Sequence, residues 1–177
     1  MNMLNFPKLV FNSSYITIAI LGKNYKLNIK YSNIMSVELV KKSNEIDINL
    51  PRKYKNCDNS DIINLAISKL YEDIAQKELE ASLELIRHIL KFSPDDYKIE
   101  RIKNAYYKCS KNKTLIINPD IVQFSKEIIN TTLLSAFCKI NFKANSNQYK
   151  TALENGFAKY EAYKNSLNSS RSLKKVS

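Results

Sequence analysis

Ser135 and Lys139 stand four residues apart in the stretch IINTTLLSAFCKIN, where apolar residues recur at three- and four-residue steps. On a helix that step puts both side chains on one face, one turn apart. A serine hydroxyl beside a lysine amine is the spacing of a Ser–Lys nucleophile and base. No segment, however, signals the oxyanion hole that such a pair needs. The chain has one histidine, His88, set among Arg87, Ile89 and Lys91 with no second ligand one turn on. It reads as a residue of a helix surface or core edge rather than a metal ligand. Cys57, Cys109 and Cys138 are odd in number and form no C-x-x-C, so they read as reduced thiols. Cys138 adjoins Lys139 rather than a second thiol or imidazole and reads as a small buried side chain. With Gly22 and Gly156 the only glycines, no phosphate-cradling loop can form. Asp95-Asp96 reads as a helix stop.

The elements around these residues predict an α+β fold. Tyr15–Leu21 is rich in β-branched residues; Gly22-Lys23-Asn24 turns the chain; Tyr25, Leu27 and Ile29 alternate with polar residues. Met35–Val40 and Ile46–Leu50 read as two more strands, and Pro51 closes this β section. A polar connection over 52–59 leads to a long helix ending near Lys91, capped by Asp58 or Ser60, with Ile63, Ile67, Leu70, Ile74, Leu79, Leu83, Ile86 and Leu90 as its stripe. Tyr97–Ile102 and Thr114–Ile117 read as strands on either side of Cys109. A helix over 126–140, capped by Ser125, buries Ile128, Ile129, Thr132, Leu133, Ala136 and Ile140, and a last helix covers about 148–167. No internal repeat is visible.

Several segments resemble the YgjP/SprT-like metallopeptidases. Residues 21–31, LGKNYKLNIKY, resemble that family's opening Leu-Gly-Lys-x-Tyr-x-Leu hairpin. The long helix carries Lys69-Leu70-Tyr71, as the family's carries a Leu-Tyr near its middle. Tyr106-Tyr107-Lys108-Cys109-Ser110 stands where the family has Trp-Gly-Ser-Cys-Ser, so Tyr106 is expected to take the tryptophan's place in the core. Asn118-Pro119 keeps the strand end. The resemblance implies that helix 126–140 corresponds to the helix bearing H-E-x-x-H, followed by a third ligand in Asn-His-Ser-x-x-Phe-Trp. By position, Ser135, Lys139 and Asn145 replace the three zinc ligands and Ala136 replaces the glutamate base. The implied architecture is a β section, a long helix, a small sheet and a zincin-like helix pair. The implied function is that of a relative that has lost its metal, with no cofactor expected, acting by binding a protein or peptide. The alternative is a metal-dependent hydrolase with non-standard ligands.

The formal net charge is +11 over 177 residues, with 25% charged and 44% hydrophobic residues, and the pI is about 9.5. That balance favours polyanionic partners, although no compact arginine-rich block occurs. Lysines interleaved with tyrosines toward the C-terminus make a second alternative, a nucleic-acid surface built from Lys143, Lys150, Lys159, Lys164, Arg171, Lys174 and Lys175. Tyr160 and Tyr163 read either as stacking partners for bases between these lysines or as residues facing the domain. The apolar run YITIAIL is too short to span a membrane and lacks the flanks of a signal peptide. Residues 1–168 are expected to form one domain, 169–177 a basic flexible tail, and the compartment to be cytoplasmic.

Overall fold

The computed structural model describes the backbone of residues 10–12 and 15–173 and the side chains of residues 16–165. A five-stranded sheet comes first: β1 (Val10–Asn12), β2 (Tyr15–Ile20), β3 (Lys23–Ser32), β4 (Glu38–Lys41) and β5 (Glu45–Pro51), in the order β1-β2-β3-β5-β4. β5 runs parallel to β3 and antiparallel to β4, and this central position buries Ile46, Ile48 and Leu50 completely. The expected strand at Met35–Val40 starts later, because Met35 itself lies 98% exposed ahead of β4. Within the sheet, Asp47 is buried but ion-paired to Lys30 and Lys42, each at 2.6 Å.

Helix α1 (Ser60–Leu90) follows and, at 1.5 Å per residue, is about 46 Å long. Asp58 Oδ1 accepts from the Ser60 N–H, while the residue at the cap position is Asn59. Ile67, Tyr71, Ala75, Leu79 and Ile86 lie at or below 1% exposure along one side of α1, and the Tyr71 hydroxyl donates to the Ala19 carbonyl at 2.7 Å. The helix ends at Lys91, which takes the left-handed conformation at φ 64°.

A three-stranded sheet is built from β6 (Asp96–Ile99), β7 (Tyr107–Cys109) and β8 (Thr114–Ile117), in the order β6-β8-β7. The strand β7 has too short an apolar pattern to be read from sequence, and so has β1. After β8, Asn118 holds the chain together. Its Oδ1 accepts from the Asp120 N–H, and its Nδ2 donates to the carbonyls of Ile102 and Ala105 at 3.0 Å each. The 3-10 turn Pro119–Gln123 then meets the β2–β3 turn: the Leu21 N–H donates to the Val122 carbonyl and the Gly22 N–H to the Gln123 carbonyl. Arg101 fastens the same turn to α1, pairing with Asp120 at 2.8 Å and Glu72 at 3.1 Å and donating to the Ser68 carbonyl.

Helices α2 (Lys126–Asn141) and α3 (Asn147–Leu173) complete the fold. The buried face of α2 is Ile129, Asn130, Leu133, Leu134, Ala136, Phe137 and Cys138, rotated from the expected face, and Ile128 is 48% exposed. The helix α3 is unbroken at Gly156 and runs past the expected end at 167. Gly156 fits closely: a Cβ there would lie 2.8 Å from Leu90 Cδ2 and 3.0 Å from Leu134 Cδ2. Its bare backbone lets α3 approach α1 and α2 together. Among the described residues no helix is long and apolar enough to cross a membrane.

Candidate functional site

The cleft where α2 meets β7 brings Ala136 and Lys139 to Cys109 and Tyr107, while Ser135 and Asn145 lie apart from that contact. Ser125 starts α2 by accepting from the Ile128 N–H at 3.4 Å. Tyr107 and Cys109 are two residues apart on β7, so their side chains share one face of the strand. Cys109 Sγ points to the Ala136 carbonyl at 3.8 Å. Tyr107 lies under Lys139, whose Nζ is 5.7 Å from the ring centroid. Ala136 itself is fully buried where α2 meets β7.

Ser135 is half-buried, and its hydroxyl donates to the Thr131 carbonyl of its own helix at 3.1 Å. It makes no hydrogen bond to Lys139, whose ammonium faces the Tyr107 ring instead, so the pair is not assembled as a nucleophile and base. Asn145 sits exposed in the turn between α2 and α3 with φ 65°, a conformation that asparagine tolerates. Ser146 next to it accepts from the Tyr149 N–H at 3.1 Å and so opens α3. Among the described residues no hydrogen bond joins Asn145 to Ser135 or Lys139.

Burial sets the protonation of the cleft. It raises the Cys109 thiol above its ordinary value, against an opposing pull from the Lys139 charge, and it pushes Cys138 up to about 11. Both remain thiols at neutral pH, the form that neither attacks nor ligates. Tyr107 is also raised, first by burial, then by its neighbours Cys109 and Tyr149.

Zinc needs three converging donors of the His, Cys or carboxylate type and an open position for water. A hydroxyl bonded to its own helix, a cationic ammonium and an exposed carboxamide do not fit that requirement. Among the described residues no three His, Cys, Asp or Glu side chains come together as a metal-binding group. The donor set at positions 135, 139 and 145 does not fit the metal.

What the cleft offers is a strand edge. Within the antiparallel pair, the Asn118 N–H donates to the Tyr106 carbonyl and the Ser110 N–H to the Thr114 carbonyl. Hydrogen-bonded pairs alternate with non-bonded ones, so Tyr107 and Cys109 turn their N–H and C=O groups away from β8. β7 is the end strand of its sheet, and among the described residues that side carries no further strand. This edge is not legible in the residue pattern, because a three-residue strand has no readable period.

The basic candidates are scattered. Lys143, Lys150 and Lys159 are exposed, while Lys164 is bound to Glu127 and Glu161. Arg171 falls on α3, and Lys174 and Lys175 lie outside the described residues. Tyr160 takes the second of its two readings and faces the interior, 3% exposed, and its hydroxyl accepts from Asn130 Nδ2. Tyr163 does not, being 39% exposed. Tyr106, expected in the core, is 38% exposed and rests edge-on against Phe124 at 5.0 Å. Its partly buried neighbour Tyr107 is the tyrosine that turns inward, a difference of one residue that follows from strand alternation.

A model of the YgjP-like metallopeptidase domain matches residues 6–170. No curated protein and no solved structure matches the chain. The match spans nearly all of the α+β architecture described above, from the opening sheet through α3, so the chain belongs to the YgjP-like metallopeptidase family.

Proposed function

We propose that this chain is a non-catalytic member of its family that holds an extended peptide segment of a partner protein along the free edge of β7, with residues 1–168 acting as one folded unit. The observation that carries this reading is the juxtaposition in the cleft. The outward N–H and C=O groups of Tyr107 and Cys109 offer main-chain pairing, and Lys139 lies beside them over the Tyr107 ring. An exposed strand edge is a template for an added strand, which binds through main-chain hydrogen bonds. Lys139 adds a cation to the rim, favouring a peptide with a carboxylate near that point. Nothing in the donor set activates a water, so the bound segment is kept rather than cut.

Two measurements test the reading together. A library of extended peptides is screened for binding, and amide hydrogen exchange is followed with the best binder. The Tyr107 and Cys109 amides should gain protection on binding. Elemental analysis of protein purified without chelator should show far less than one zinc per chain. Stoichiometric zinc with peptide cleavage would restore the hydrolase reading, and binding that leaves both amides unprotected would place the peptide elsewhere.

A further inference from the structure

The end of α1 and the middle of α3 enclose a hollow of about 280 Å³ lined by His88, Ile89, Lys91, Lys159 and Tyr163. It lies outside the cleft, and no part of the peptide reading uses it. Gly156 creates it: the close approach of α3 to Leu90 brings the next turn of α3 beside the last turn of α1. His88 and Ile89 lie on the last turn of α1 and Lys91 caps its end, while Lys159 and Tyr163 stand four apart on one face of α3.

The lining combines two kinds of surface. Ile89 and the ring of Tyr163 are apolar, and Tyr163 is 39% exposed as a residue. Around them stand two exposed lysines and an imidazole, with no carboxylate among the lining residues. Lys91 and Lys159 form no ion pair among the described residues. The nearby carboxylates are engaged elsewhere: Glu84 with Arg87 at 2.7 Å and Glu161 with Lys164 at 3.1 Å. The C-terminal end of α1 presents carbonyls, so an anion can be held here only by side chains.

We propose that this hollow is a binding site for single-stranded nucleic acid, one base resting against Tyr163 and Ile89 while Lys91 and Lys159 hold the phosphates on either side. An apolar aromatic floor beside a cationic rim is the chemistry of strand binding by stacking and phosphate contact. A free phosphate would leave the floor unused, and a duplex covers the base faces that the floor needs. The chain's net charge of +11 adds long-range attraction for the same ligand.

The test is fluorescence anisotropy of a labelled single-stranded oligothymidine with the full chain, over a series of salt concentrations. Lys91→Ala and Lys159→Ala should each reduce the salt slope by about 0.7, which corresponds to roughly eightfold weaker binding at 50 mM salt. Tyr163→Ala should weaken binding about fivefold or more and leave the slope unchanged. All three side chains are exposed, and the thermal midpoint of each variant checks that the fold is intact. Lys53→Ala is the control, a lysine over the Tyr54 ring at 5.0 Å in the 3-10 turn that precedes α1, at the other end of that helix from the hollow. It should change binding less than twofold. Equal losses at Lys53 and at Lys91 would reduce the effect to net charge and overturn the site. So would a Tyr163→Ala variant that binds as wild type, or duplex or anionic vesicles of phosphatidylserine binding as tightly as the single strand.

Discussion

At the joint where the β2–β3 turn meets Ser125, backbone touches backbone. In the cleft between β7 and α2, side chains meet. A Cβ added at Gly22 would lie 2.9 Å from Ser125 Cβ and 3.0 Å from Ser125 Cα, and Gly22 sits at φ 77°. Neither condition admits another residue type without strain. Leu21 beside it is also held at positive φ, 50°, by its hydrogen bond to the Val122 carbonyl. On α2, Ser135 is satisfied by its own helix and Lys139 by a ring face, and in the turn that follows Asn145 stands in solvent. Those three positions can carry residues of almost any chemistry without disturbing the packing. Where main chains abut, geometry dictates residue type; where side chains border open space, only chemistry does, and chemistry can be lost while the fold stands.

The largest expected effect that sharpens this contrast is at Arg101. Arg101→Ala leaves Asp120 buried without its cation and frees the turn that receives Leu21 and Gly22. It should cost about 3–5 kcal/mol. The loss should depend on pH. Burial raises Asp120 above its ordinary value, and the Arg101 charge opposes that rise. Removing Arg101 raises it further. A carboxyl with a raised folded-state value stabilises the fold while protonated and loses that contribution as pH rises through the raised value. The gap between wild type and variant should therefore be small near pH 3 and widest at neutral pH. Denaturant unfolding at both pH values measures it, and a gap that widens in acid would contradict the assignment.

Gly22→Ala comes next. A left-handed Ala and its close contact with Ser125 should together cost roughly 2–4 kcal/mol. In a chain of this length that lowers the thermal midpoint by roughly 4–16 °C. A midpoint shifted by less than a degree would show that the joint is not backbone-limited.

The cleft should respond far less. Lys139→Met removes a charge–ring contact at a mostly exposed site, about 0.5–1 kcal/mol, and calorimetric unfolding resolves it from the joint variants. Ser135→Ala should change stability by no more than about 0.5 kcal/mol and in the stabilising direction. Alanine is the better helix former, and the serine's back-bond to Thr131 works slightly against the helix. A large loss from Ser135→Ala would break the comparison, since it would mean the hydroxyl holds more than its own turn.

The sequence by itself determined the elements with long periods and clear punctuation. The stripe from Ile63 to Ile86 fixed α1, Ser125 marked the start of α2, and Thr114–Ile117 gave β8 with its boundaries. It also determined what chemistry positions 135, 136, 139 and 145 can carry, because donor type is a property of the residue alone. Tertiary structure decided everything that depends on two elements meeting. β7 exists because β8 pairs with it over only three residues. Tyr107 rather than Tyr106 turns inward because the register of that pair fixes which side faces α2. His88 gains neighbours that could share a ligand only because Gly156 lets α3 pack against the end of α1. Periodicity reports one element's own faces, whereas an edge, a register or a hollow belongs to a pair of elements and exists only once they are packed together.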